Sequence, residues 1–328
     1  MKQILSLLVI TQAFATFDFS KQPVDVDNVP ICPALPSNAS LWQYMDDAFS
    51  QAKTYVPPTS AQITNVQVLA HALHTHDAAS ILESSNALNA QVCRVKKPGD
   101  PFLVMITKPG ITDYNGVFLL FRENTTSQII LQNAHDNTCT QGQESKDIFP
   151  LTNVLMVMSN GYLRSIGTRV NTCWGNSYNS DGSHNVQNLF YQTHVAFERE
   201  FNESIFIHMH GSAAEGMMIT NNFKNDCGKD TLLYAFNNEV YNYFNKTDPG
   251  YLAGITSCCK GTIIPFKNMG ITKTWLPGRE LCDAQNPACD FGSVNTNRYI
   301  GFEHGPMMRK NPQILAKIIM NLQENYDM

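Results

Sequence analysis

Two histidines and one glutamate follow stretches that are typical of buried strands. His135 ends the apolar stretch 127–135, and His210 lies at the end of the stretch 203–211. Glu303 closes a third stretch of the same kind near the end of the chain. Because ligands bind outside the carboxyl ends of the strands in open α/β sheets, we expect these side chains to meet at one sheet edge. Two imidazoles and a carboxylate at one edge indicate a hydrolytic zinc site.

A catalytic zinc ion commonly has three protein ligands and one open position for water. We predict His135 and His210 as two of these ligands and Asp136, which adjoins His135, as the third. Cys139 and Glu144 are alternatives for the third position, because both lie in or near the polar segment that follows. Each histidine also has a structural interpretation, as a hydrogen-bonded residue of the core.

Metal-activated water needs a base to accept its proton, and a carboxylate across the site serves this purpose. We predict Glu303 as that base, with an ion pair to Arg298 or Arg309 as the alternative. Arg298, Arg169 and His184 are predicted to bind substrate, since the arginine fork matches a carboxylate. For Arg169 a role as an ordinary surface cation is the stronger alternative.

Three further histidines have weaker claims on chemistry. His208 lies two residues before His210 and therefore on the same face of the strand. It is predicted to be a second ligand, an orienting neighbour of the metal, or a core residue. His71 and His74 fit the polar side of a short helix, which favours a structural role over metal binding.

The composition excludes some classes of function. The chain has 328 residues, a formal net charge of −5 and 16% charged residues, with no basic block. Nucleic acid is therefore excluded as a partner, because phosphate binding needs a basic face. A hydrophobic content of 43% is ample for a core, and we expect a single α/β domain.

The first residues indicate export. Residues 1–15 have the pattern of a secretory signal peptide, and no later stretch reaches the roughly 18 apolar residues of a membrane span. Nine cysteines, eight of which could pair, suit an oxidising compartment. We therefore expect a secreted or lumenal protein, vacuolar or lysosomal in the second case. Four N-glycosylation triplets agree with this route, at Asn38, Asn124, Asn202 and Asn245.

The order of elements predicts a mixed, mostly parallel sheet flanked by helices. Proline-rich residues 16–60 are predicted to form an extended arm. Residues 61–328 are predicted to form the α/β hydrolase-like domain, in which 248–296 are disulfide-tied loops. Consecutive strands are predicted at 102–107, 117–121 and 128–131, at least one pair of them a hairpin.

The second half of the domain alternates strands and helices, the rhythm of a parallel sheet with crossover helices. The predicted elements are a mostly helical segment up to Ser159, a strand Tyr162–Thr168, a helix Val186–Phe197 capped by Asp181 or Ser183, a helix Asp230–Phe244 and a final helix from Pro312 to about Glu324.

These features resemble the superfamily of zinc carboxypeptidases, aspartoacylases and N-formylglutamate amidohydrolases. The resemblance covers about residues 115–325 and lies in the strand order and in the layout of His135, His210, Asn297, Arg298 and Glu303. It implies an α/β sheet sandwiched by helices and zinc-dependent hydrolysis of an amide.

The chain departs from the family at one position. Thr138 stands three residues after His135, where carboxypeptidase-like members have a glutamate. The third ligand therefore stays open. Segments 133–136 and 208–210 are also similar to parts of the metallophosphoesterase pattern, although the first metal-binding elements of that pattern are absent.

The sequence thus predicts a secreted zinc hydrolase that cleaves an amide or peptide bond in a small acidic or peptidic substrate. The principal alternative is a non-catalytic secreted glycoprotein that keeps the fold as a binding module, and a metallophosphoesterase-like hydrolase is the minor one.

Overall fold

A ten-stranded mixed sheet organises the chain. The computed structural model describes residues 29–32, 54–96, 100–107, 117–135, 141–162, 165–171, 176–182, 185–211, 216–220, 231–259, 262–265 and 298–326. The strands are β1 (Ala90–Val95), β2 (Phe102–Thr107), β3 (Val117–Arg122), β4 (Ile129–Asn133), β5 (Met156–Asn160), β6 (Arg169–Asn171), β7 (Asn176–Tyr178), β8 (Ile205–Gly211), β9 (Met217–Thr220), β10 (Ile255–Cys259), β11 (Thr262–Pro265) and β12 (Tyr299–His304). The α-helices are α1 (Ser60–Thr75), α2 (Ala78–Ala87), α3 (Gln141–Ile148), α4 (Leu189–Glu200), α5 (Leu232–Thr247), α6 (Pro306–Lys310) and α7 (Pro312–Asn325).

The strand order is β1-β2-β3-β5-β4-β8-β12-β9-β10-β11, and β6 and β7 form a separate hairpin. The central strands β5, β4, β8 and β12 are parallel to one another, while β1, β2 and β3 are antiparallel. The predicted α/β class with a mixed sheet is confirmed. The four parallel strands bring their carboxyl ends to one edge, as the sequence argument requires.

Helices cover both faces of this sheet because the central strands are apolar on both sides. One face packs against α1, α2 and α4. The other packs against α3, α5, α6 and α7. Helix α7 shows the periodicity that drives this packing, since its buried residues recur at helical spacing: Leu315, Ala316, Ile318, Ile319 and Leu322.

The segment 29–32 is tied to the sheet by hydrogen bonds and a disulfide. The amide of Cys32 donates to the carbonyl of Arg94 at 2.8 Å, and the amide of Arg94 donates to Pro30 at 2.8 Å. Cys32 and Cys93 form a disulfide that spans 61 positions of the sequence. The segment therefore acts as a short additional strand beside β1.

Removal of this disulfide should destabilise the fold. A loop of 61 residues restricts the unfolded chain enough to contribute about 4 kcal/mol. We expect the double variant Cys32→Ser, Cys93→Ser to lose about that amount in urea unfolding, with single variants as controls for thiol exchange. Equal stability of the parent and the double variant would show that the bond does not hold the segment in place.

Several predicted elements agree with the structure. The hairpin expectation is confirmed by the antiparallel pair β2–β3. The helices predicted at 230–244 and 312–324 are α5 and α7. His71 and His74 lie on the exposed side of α1, as the structural interpretation predicted.

Other predicted elements are wrong. The segment up to Ser159 is helical only to Leu151. The α-helix ends at Ile148, shortly before Pro150, which has no amide hydrogen to continue it; residues 149–151 form one 3-10 turn, and 156–160 form β5. The predicted strand Tyr162–Thr168 is not a strand in its described residues 162 and 165–168. Residues 255–259 and 262–265 are strands rather than loops. Strand β1 was not predicted.

The helix predicted at 186–197 begins later than expected. Asn188 caps α4 by accepting a hydrogen bond from the amide of Phe190, so neither Asp181 nor Ser183 is the cap. Asn185 accepts from the amide of Gln187 at 3.0 Å, which forms a turn just before the helix. Asp181 is therefore available for another role.

Two further expectations concern the N-glycosylation triplets and the absence of a membrane span. Asn124, Asn202 and Asn245 are exposed, while Asn38 lies outside the described residues. Glycosylation at all four positions stays a prediction. Among the helices that the structure describes, none is long and apolar enough to cross a membrane.

Candidate functional site

His135 and His210 lie side by side at the carboxyl edge of the parallel strands. Their ring centroids are 4.8 Å apart with the planes at 80°. His135 follows β4 and is 4% exposed, and His210 is the penultimate residue of β8 and is 8% exposed. The two predicted imidazole ligands are therefore neighbours in a nearly dry environment.

Asp181 holds the ring of His135. Its Oδ1 lies 3.1 Å from Nε2 of His135, and the aspartate side chain is 3% exposed. A carboxylate on one ring nitrogen places the proton on that nitrogen and leaves the other nitrogen to bind a metal. Sequence reasoning missed this residue, because a loop aspartate next to Gly182 also fits a turn or a helix cap.

Buried asparagines fix the loop that carries Asp181. The Nδ2 atom of Asn160 donates to the carbonyls of Ala134 at 3.0 Å and Ser180 at 3.1 Å. Since Ala134 precedes His135 and Ser180 precedes Asp181, one side chain joins the two backbones. A Cβ on Gly182 would lie 2.9 Å from Nδ2 of Asn160, so only glycine fits there without displacement.

Glu303 is placed beside His210 by strand register. In the parallel pair of β8 and β12, Glu303 is the partner of His210, and Gly301 is the partner of His208. Paired residues on neighbouring parallel strands are about 4.8 Å apart and project from the same face. The structure thus brings Glu303 to the edge occupied by the two histidines, with a partly exposed side chain.

Of the two arginines predicted to bind substrate, Arg298 lies at the opposite edge of the sheet. Arg298 precedes β12 and donates to the carbonyl of Glu203, before β8. It lies five residues from Glu303, roughly 16 Å along the strand. Arg169 is exposed in the β6–β7 hairpin, where its guanidinium lies 5.1 Å from the ring centroid of Tyr178. Arg298 therefore lies away from the histidine pair, and substrate binding by Arg169 stays a prediction.

The predicted third ligands lie largely outside the described part of the chain. Asp136, Cys139 and His184 belong to segments that the structure does not describe, and the side chain of Glu144 in α3 is not described either. Within the described residues no group of three or more histidines, cysteines, aspartates and glutamates is arranged to hold a metal ion.

A second layer of polar side chains lies beneath the histidine pair. The ring of His208 is 4.5 Å from that of His210. His208 also contacts Gln132 of β4, Gln132 contacts His194 of α4, and His194 faces Glu198 of the same helix. All four side chains are buried. A sequence signal for this layer existed, because His194 and Glu198 interrupt the apolar stripe of α4.

Burial perturbs the carboxyl of Glu198. It raises the pKa from the ordinary 4.5 to about 7, and the charge of Arg199 opposes the shift. Because the pKa of Glu198 is higher in the folded state, its protonated carboxyl stabilises the fold relative to the ionised one. This contribution to the free energy of unfolding is fully present below the unfolded-state pKa and is lost as the pH rises through about 7.

The substitution Glu198→Gln should therefore change how stability depends on pH. We expect the variant to be more stable than the parent at pH 8 by roughly 2–3 kcal/mol, with the difference vanishing near pH 4. Urea unfolding at several pH values measures this. A difference in stability that does not change with pH would contradict the raised pKa.

The opposite edge of the sheet has a different character. A cavity of about 260 Å³ lies there, near the amino ends of β4 and β8, and its lining includes His74, His76 and Glu200. Nδ1 of His71 is 2.9 Å from Glu200, and that of His74 is 3.8 Å from the same carboxylate. These contacts join α1 to α4, and exposed pairs of this kind contribute little to stability.

Comparison with known proteins gives only distant similarity. No family model matches the sequence, and no curated protein matches it at a significant level. Among solved structures, zinc-free YndL has 13% identity and a TM-score of 0.32, over 65% of this chain and 91% of that one.

Two candidate metallopeptidases are similar at the same level. The one from Shewanella amazonensis has 9% identity and a TM-score of 0.32, over 64% of this chain and 81% of that one. The one from Shewanella baltica has 10% identity and a TM-score of 0.34, over 78% and 94%. The resemblance to metallopeptidases is therefore weak, and these scores support no argument about function.

Proposed function

We propose that this protein is a metal-dependent hydrolase of amide or peptide bonds. The observation that carries the proposal is the buried contact between His135 and His210, with Asp181 on the first ring and Glu303 in register beside the second. Two imidazoles with a carboxylate are a donor set that zinc prefers.

In this proposal His135 and His210 hold the metal. The third ligand is Asp136, Cys139 or Glu144, because these residues follow His135 most closely. When bound, zinc would supply Lewis-acid polarisation of the substrate carbonyl and a lower pKa for the attacking water. Asp181 would keep His135 in the tautomer that binds the metal.

Glu303 acts as the base of the reaction. It takes a proton from the attacking water and delivers it to the leaving amine, which completes the hydrolysis. Its partly exposed position beside a buried histidine gives it access to both water and substrate. His184, three residues after Asp181, stays the candidate for contact with a small acidic or peptidic substrate.

We further propose that the protein acts outside the cell or in a lumenal compartment. The disulfide between Cys32 and Cys93 supports this, because such bonds persist in oxidising compartments. The signal-peptide pattern at 1–15 supports the same route.

A panel of N-acylated amino acids and short peptides tests the activity. We expect hydrolysis that a chelator abolishes and added zinc restores. Hydrolysis that is unaffected by chelation would contradict metal dependence. Binding of a panel member without turnover, by protein loaded with zinc, would favour the binding module instead.

A further inference from the structure

Four buried polar side chains lie in a row behind the histidine pair, and we call this row the polar chain. His208 of β8 and Gln132 of β4 are 0% exposed, His194 of α4 is 1% exposed and Glu198 is 6% exposed. Buried polar groups are costly unless they are satisfied, so their relative orientation is constrained.

The contacts are ordered along the chain. Nδ1 of His208 lies 3.4 Å from Oε1 of Gln132, and Nε2 of Gln132 lies 2.7 Å from Nδ1 of His194. Nε2 of His194 lies 3.7 Å from Oε2 of Glu198, an ion-pair distance rather than a hydrogen bond. The amide of Gln132 is therefore the link between two imidazoles.

The chemistry of an amide gives this chain a direction. The oxygen of a glutamine side chain only accepts and its nitrogen only donates. With Gln132 as placed, Nδ1 of His194 accepts, and Nδ1 of His208 carries a proton that it donates. A rotation of the amide by 180° would reverse both roles.

Glu198 selects between the two directions. A carboxylate facing Nε2 of His194 favours a proton on that nitrogen. A neutral His194 then has an unprotonated Nδ1, which requires the amide nitrogen of Gln132 to face it. The amide oxygen is left for His208.

We propose that Glu198 and His194 are positioning residues that act through Gln132 to hold His208 as the Nδ1–H tautomer. Nε2 of His208 is then the unprotonated nitrogen, able to accept a hydrogen bond beside His210. The tautomer follows from contacts of the chain itself. The role of this tautomer in orienting His210 toward a metal rests on the proposed function.

The neighbours of the His208 ring limit its access to water. The ring of His208 lies 6.1 Å from those of Phe190 and Tyr299, so water does not compete readily for its nitrogens. Its partner in β12 is Gly301, which has no side chain to interact with the ring. The polar chain reaches the ring of His208 at its Nδ1 atom, through Gln132.

The charge on Glu198 should control the chain near neutral pH. Burial raises the pKa of this carboxyl to about 7, and Arg199 opposes the shift. His194 faces this carboxyl, and the ring of Tyr299 lies 6.3 Å from that of His194. On the packed helix α1, His71 and His74 face Glu200 instead.

Nitrogen NMR of the metal-free protein tests the proposal. In full-length protein labelled with ¹⁵N-histidine, two-bond proton–nitrogen correlations identify which ring nitrogen carries the proton. Loss of signals in His208→Asn assigns the residue. At pH 8 we expect His208 as the Nδ1–H tautomer in the parent and in Glu200→Gln. In Glu198→Gln we expect the Nε2–H tautomer of His208 to be populated substantially. A neutral amide can donate to or accept from Nε2 of His194, so it favours neither orientation of Gln132.

The proposal is wrong if the parent shows the Nε2–H tautomer or a cation at His208 at pH 8. It is also wrong if Glu198→Gln leaves the tautomer unchanged. If that variant does not fold, Glu198→Ala at pH 8, which also removes the carboxylate, replaces it, and an unchanged tautomer in that variant is the overturning result. Because no metal is present, failure of the hydrolase proposal would leave these results intact.

Discussion

Replacement of Glu303 by glutamine should lower kcat by about 10²–10⁴-fold, the usual contribution of a positioned general base. The amide has nearly the shape of the carboxylate but cannot accept the proton of the attacking water. The loss should appear in kcat more than in KM, because Glu303 acts on the reacting water rather than on substrate affinity. Steady-state kinetics on the best member of the substrate panel measures it.

The matched control is Glu203→Gln. This glutamate is exposed at the opposite edge of the sheet, before β8, so its replacement should leave kcat unchanged. Metal content should also be unchanged in Glu303→Gln, because Glu303 is not a proposed ligand. A variant at Glu303 with parental kcat would remove this residue from the mechanism.

Replacement of His210 by alanine should weaken zinc binding by more than about 100-fold, beyond the effect usual for an outer-shell partner. Hydrolysis should fall with it. His210 contributes one of the two imidazoles that the structure brings together, and His135 alone cannot hold the ion. Competition with a fluorescent chelator measures the affinity.

The control for this variant is His71→Ala, which replaces an exposed histidine of α1 whose ring contacts Glu200. Its zinc affinity should equal that of the parent. Thermal unfolding of both variants separates loss of ligand from loss of fold, since His210 is buried. Parental zinc affinity in a folded His210→Ala protein would show that the site lies elsewhere.

Local patterns in the sequence predicted the elements that carry the site. Strand β4 ends two residues before His135, and strands β8 and β12 each end one residue after His210 and Glu303, because apolar runs give way to polar residues there. The fold class followed from the alternation of such runs with amphipathic helices. These signals are short in range, so a single sequence displays them.

Long-range register was beyond the sequence. Strands that follow one another in the sequence are usually neighbours in a sheet. Strand β12 begins roughly 90 residues after the end of β8, yet it lies between β8 and β9. The pairing of Glu303 with His210 depends on that insertion. Nothing local in either segment specifies its neighbour.

Contacts that involve loops were missed for a related reason. Asp181 resembles a helix cap in the sequence, and only the bonds from Asn160 show why it faces His135. Arg298 precedes its strand and therefore lies at the end of the sheet opposite Glu303. An arginine near a glutamate in sequence is not near it along an extended strand.

Zinc stoichiometry of the intact, purified protein tests the central claim most directly. Dialysis against buffered zinc, followed by elemental analysis at pH 7.5, should give one tightly bound ion per chain in the parent and none in the double variant His135→Ala, His210→Ala. A folded parent protein that retains no metal, or a double variant that retains as much as the parent, would contradict a metal site at this pair of histidines.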